Sequence, residues 1–61
     1  MKMYIITVFD NKGEKIYEES FEATDNNEAK RIGQDILADN DYENHTSRVT
    51  SPSGELVLFH R

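Results

Sequence analysis

Two short segments, Asp10-Asn11-Lys12-Gly13 and Ser51-Pro52-Ser53-Gly54, restrict this chain more than any other feature. Asp10 takes the first position of a tight turn, and Pro52 the position whose φ its ring presets. A glycine closes each turn in the left-handed conformation that completes a type I hairpin with a following bulge. Residues 3–9, dense in β-branched and aromatic side chains, read as a strand running into the first turn. Residues 14–23 return as a second strand, with Ile16, Tyr17 and Phe21 set among glutamates. Residues 45–51 form a weaker strand whose one clear apolar side chain is Val49, and residues 55–60 form the last. The turns lie 41 residues apart and share Val8/Val49, Gly13/Gly54, Glu14/Glu55 and Ile16/Val57. That match expresses a common turn rule and is too thin to mark a duplication.

A helix separates the hairpins. Asp25 and Glu28 have the spacing of a capping box, in which each side chain satisfies an orphan amide of the first turn. Ala29, Ile32, Gly33, Ile36 and Leu37 then recur on one helical face. A glycine costs about 1 kcal/mol against alanine inside a helix, so Gly33 implies close approach of the helix backbone to the sheet. Periodicity is lost over residues 38–44, a run of Asp and Asn.

The order ββαββ implies a single α+β domain over residues 1–61. Two layers are expected, with one helix on one face of a four-stranded mixed sheet. The first and last strands are the most apolar and are expected at the centre, giving the order 2-1-4-3 with a parallel central pair. Pairing Asp10 with Glu14 sets Val8 opposite Ile16, Thr7 opposite Tyr17 and Met3 opposite Phe21. In that register Phe21 and Ala23 share the helix-covered face with Met3, Ile5 and Tyr17. The opposite face then exposes Tyr4, Ile6, Val8 and Ile16. Neither central strand has a plainly polar side, and an uncovered apolar face of that size is the mark of an interaction surface.

Size favours self-association through that face. Sixty-one residues without cysteine exclude disulfides and thiolate metal sites. A domain of this length buries only about 60% of its unfolded surface, so a second subunit relieves a shortage of core. A homodimer with Tyr4, Ile6, Val8 and Ile16 as contacts is the expectation. The alternative is an acidic adaptor or inhibitor, docking a basic partner through residues 14–28 and chiefly through Glu14, Glu18, Glu19 and Glu22.

Other chemistry finds little in the residues. His45 and His60 approach one another if His60 pairs opposite Thr46, with Glu43 nearest as a third ligand. They lack HxH or HxxxH spacing, and surface histidines near a chain end account for both. Asp39-x-Asp41-x-Glu43 starts like a calcium loop, but Asn44 and Thr50 stand where an EF-hand needs Gly and Glu. There is no nucleophile elbow, phosphate loop or paired-carboxylate motif, so no enzyme activity, cofactor or metal is expected. A net charge of −5 argues against nucleic acid. Residues 14–28 carry one lysine among their acids, and the other basic residues, Lys2, Lys12, Lys30, Arg31, Arg48 and Arg61, are scattered. The longest apolar stretch is far short of a membrane span or a signal-peptide core, so a cytoplasmic protein is expected.

The turn with Gly13 is followed by Phe21-Glu22-Ala23, leading to Glu28-Ala29-Lys30-Arg31-Ile32-Gly33. The chain ends Ser53-Gly54-Glu55-Leu56-Val57-Leu58-Phe59-His60-Arg61. From end to end this pattern resembles the YhzD-like family, short proteins of spore-forming bacilli. The resemblance implies a bacterial cytoplasmic protein with no assigned activity. None of the matching pieces is a catalytic motif, so it carries over no functional residue.

Overall fold

In the computed structural model, which describes residues 1–60, the elements follow the expected order. They are β1 (Lys2–Phe9), β2 (Lys15–Ala23), α1 (Asn26–Asp39), β3 (Thr46–Thr50) and β4 (Leu56–His60). Arg61, last of the scattered basic residues, lies outside the described residues. Both turns close as their glycines require, with φ of 85° at Gly13 and 89° at Gly54. The Gly13 amide donates to the Asp10 carbonyl at 3.1 Å, and the Gly54 amide to the Ser51 carbonyl at 2.9 Å. The Asp10 carboxylate also accepts from the Lys12 and Glu14 amides, fixing the first turn from within.

The sheet order is β2-β1-β3-β4, with every neighbouring pair antiparallel. This corrects the expected order 2-1-4-3 and its parallel centre. Apolar content misplaced the last two strands, because the central position under the helix calls for small side chains. β3 supplies them in Ser47 and Val49, both buried beneath the helix layer. Val49 meets Gly33 of α1, where an added Cβ would lie 2.9 Å from Val49 Cγ2. The bulkier β4 takes the rim, where Leu58 packs against the core while Leu56 and Phe59 remain exposed.

The second correction concerns register. Beyond its turn, each hairpin contains an extra residue. Phe9 pairs with Lys15 but Val8 pairs with Tyr17, so Ile16 has no opposite number on β1. Likewise Thr50 pairs with Leu56 and Val49 with Leu58, leaving Val57 unopposed. A one-residue shift moves a whole strand's pattern to the other face. Past the bulge Tyr4 therefore faces Phe21, and Met3 faces Glu22. Directly opposed residues share a face, so Tyr17, Phe21 and Ala23 lie with Val8, Tyr4 and Ile6 under the helix. Tyr4, Ile6 and Val8 are fully buried there, the reverse of their expected exposure.

The two hairpins repeat one another at an offset of 41 residues, bulges included, as Gly13 to Gly54 and Ile16 to Val57. Where they join, Ile5–Thr50 mirrors Phe9–Thr46, and Ile6–Val49 mirrors Val8–Ser47. The Thr7–Arg48 pair lies on the resulting pseudo-two-fold axis of the sheet.

The helix is fastened at both ends. Asp25 accepts from the Glu28 amide at 2.8 Å, and Glu28 reaches back to the Thr24 amide at 2.9 Å, one residue before the cap. The buried Tyr4 hydroxyl donates to Asn26 Oδ1 at 2.8 Å, tying β1 to the first helical residue. Ala29, Gly33 and Leu37 are buried, with Ile32 and Ile36 at the margin. At the other end the Tyr42 amide donates to the Leu37 carbonyl at 2.8 Å and the Asp41 amide to the Ala38 carbonyl at 3.3 Å, a Schellman cap. Asp41 stands at its left-handed position, with φ of 63°.

Two stability outcomes follow from this packing. Gly33→Ala gains about 1 kcal/mol of helix propensity but drives a methyl into a stiff valine, an overpacking cost of about 1–3 kcal/mol. A lower denaturation midpoint is expected, with favourable coupling in a double-mutant cycle with Val49→Ala; an unchanged or higher midpoint would refute the close contact. Asp41→Gly relieves left-handed strain and removes an acid from the negative end of the helix dipole. It should raise the melting temperature, by about 4–8 °C for each kcal/mol gained.

Candidate interaction surface

The face away from the helix is assembled in rows across the sheet. Glu22 and Met3 form the first, and Ser20, Ile5, Thr50 and Leu56 the second. Glu18, Thr7, Arg48 and Phe59 form the third, and Lys15, Phe9 and Thr46 the fourth. Large apolar side chains stand open to water at Met3 (48% exposed), Ile5 (41%), Leu56 (57%) and Phe59 (51%). Arg48 lies over the Phe9 ring at 5.2 Å from its centroid, a cation–π contact on the open face. Thr7, at the centre, is nearly covered by its neighbours. Apolar residues thus occupy β1 and β4, polar ones β3, and acids β2.

Of the four contact residues expected from the sequence, only Ile16 is exposed, at 42%, as the extra residue of the first bulge. Tyr4, Ile6 and Val8 form the floor of the core, with Tyr4 stacked on Phe21 at a centroid distance of 6.0 Å. The surface belongs instead to Met3, Ile5, Leu56 and Phe59. The alternation of β1 contains the first two, and only the bulge decides which half of that alternation faces water. Leu56 and Phe59 have opposite parity along β4, and the bulge at Val57 brings both to the same face.

The acidic residues do not gather. Glu14 sits just past the first turn and Glu18 and Glu22 lie on the open face, whereas Glu19 pairs with Ile6 on the helix side. Glu18 is 3.3 Å from Lys15, both about half exposed, a contact worth little in water. His60 lies opposite Ser47, one residue from its expected partner Thr46. Its Nε2 is 2.7 Å from the Glu43 carbonyl, which only accepts, so Nε2 carries the proton and fastens β4 to the loop before β3. Among the described residues, no three His, Asp or Glu side chains are grouped to hold a metal. A cleft of about 450 Å³, open to solvent, is lined by Gln34, Leu37, Glu43, Asn44, Leu58 and His60. Among the described residues, no helix is long and apolar enough to cross a membrane.

An aromatic chain supports the helix side. Tyr17 and Tyr42 have centroids 5.4 Å apart, and Tyr42 and His45 also 5.4 Å. The Tyr17 hydroxyl donates to Glu19 Oε1 at 2.8 Å, and this bond, followed by partial burial, holds the phenol above its ordinary value. The native state therefore binds that proton more tightly than the unfolded chain. Its stabilisation is complete below about pH 10, the free phenol value, and is lost as pH rises through the folded value. Tyr17→Phe should flatten that alkaline loss in urea midpoints measured across the range, and an unaltered slope would refute the assignment.

The family model described as YhzD-like protein matches residues 1–61. Over 61 residues the chain is 39% identical to "Uncharacterized protein YhzD" of Bacillus subtilis (strain 168), and the match spans 100% of both chains. No solved structure matches it. With the family model and the relative both matched over the whole length, the chain belongs to the YhzD-like family.

Proposed function

We propose that this chain is a small non-enzymatic interaction module of the bacterial cytoplasm, forming a homodimer through the open face of its sheet. The carrying observation is the gathering of Met3, Ile5, Leu56 and Phe59 on the face opposite the helix. A strand spacing of about 4.8 Å and a rise of about 3.3 Å per residue give that face roughly 500 Å². Two copies would bury about 1,000 Å², the lower bound for a specific and reversible contact. The glutamates of β2 serve in this reading as edge protection that keeps assembly finite. A net charge of −5 with dispersed cations favours a protein partner over nucleic acid or a membrane surface.

Light scattering on a sizing column, run over a wide concentration range, tests the reading. A dimer that dissociates on dilution is expected. Ile5→Glu should give a monomer with an unchanged circular dichroism spectrum. Ile6→Glu, one residue along, should unfold the chain, because it puts a carboxylate beneath the helix. A parent that stays monomeric at every concentration would refute self-association.

A further inference from the structure

The open face is electrically lopsided. Glu18 and Glu22 lie on β2 at one side. Arg48 lies on β3, two strands away, and among the described residues it forms no ion pair. Glu18, Thr7 and Arg48 nevertheless occupy one row, at the same height along the strands.

That arrangement discriminates between the two simple ways of folding such a face onto its own copy. A two-fold axis running across the strands lays β2 over β2, so the acids of one β2 face those of the other. An axis running along the strands reverses the strand order while leaving each residue at its own height. With the axis midway between β1 and β3, β2 of one copy then lies over β4 of the other, and Glu18 comes within side-chain reach of the guanidinium on the adjoining strand in its own row. Symmetry makes the contact twice. The same arrangement covers Leu56 and Phe59, which sit on the half that receives β2. Releasing Glu18 from Lys15 costs little, since that pair is solvent-exposed.

We infer that two copies of this chain associate about a two-fold axis parallel to the strands, with Glu18 of each opposed to the partner's Arg48. The inference rests on the self-association proposed above and adds its register and orientation. A closing charge swap separates the failure of one from the failure of the other. Glu18→Lys and Arg48→Glu should each weaken the dimer about tenfold or more, since each sets like charges against one another twice. The double variant Glu18→Lys/Arg48→Glu should return to within a few-fold of the parent. Circular dichroism checks that each variant is folded, and Glu18→Gln and Arg48→Gln replace any reversal that is not.

A parent dimer indifferent to these substitutions would overturn the register and leave the open-face dimer standing. So would weakening by both single variants without rescue in the double. A dimer strengthened by Arg48→Glu would overturn it too, because the axis would then bring Arg48 against its own copy. A parent that never dimerises would overturn the register together with the reading beneath it.

Discussion

In an unbroken pair of strands, alternate residues keep to one face from end to end. One additional residue in either strand inverts that relation for everything beyond it. The bulges at Ile16 and Val57 therefore set the two-sidedness of this protein. The first sends Tyr17, Phe21 and Ala23 to the same side as Val8, Ile6 and Tyr4, giving the helix one continuous apolar floor. The second lets Leu58 join that floor while Leu56 and Phe59 turn outward. Core and candidate surface are thus two results of one backbone device.

The helix settles on that floor as closely as side-chain size permits. Gly33 lies against Val49, with Ile6 and Leu58 beside it, and the core also takes in the small side chains of Ala29 and Ala23. A thin layer built on small contacts leaves little apolar area to offset chain entropy in so short a domain. The fixed ends of the helix matter correspondingly more. The Asp25 cap, the Tyr4–Asn26 bond and the Schellman turn through Asp41 satisfy groups that a frayed helix would leave to water. The buried Ser47 hydroxyl, with no hydrogen-bond partner among the described residues, shows that the central strand was filled by size more than by polarity.

Local chemistry made the elements legible. Gly13 and Gly54 mark turns because left-handed backbone is costly for other residues, and Asp25 and Glu28 mark the helix start through the amides they satisfy. The reason for Gly33 was equally readable, since a helix interior retains glycine only against a close neighbour. The register was hidden because Glu14 to Tyr17 has the same residues whether Ile16 pairs or bulges. Reading the faces without the bulge selected Tyr4, Ile6 and Val8, the correct alternating set on the wrong side of the sheet. The strand order was hidden for a related reason. Apolar content measures how much a strand buries, whereas the central position here depends on how little room β3 takes up.

The pseudo-two-fold through Thr7 and Arg48 has a consequence for recognition. Over residues 5–19 and 46–60 the backbone pairing repeats after half a turn, so a partner sensing only the shape of that part would have two seating orientations of similar merit. The ambiguity is removed by what the two outer strands carry. Charged side chains stand on one and bare apolar side chains on the other, at positions that the half-turn exchanges. Lys15 answers to Leu56, and Glu18 to Phe59. Orientation is therefore encoded where the two halves of the chain differ in side chain and not in the framework they have in common, so substitutions in those few outer positions can change how the protein is approached without altering how it folds.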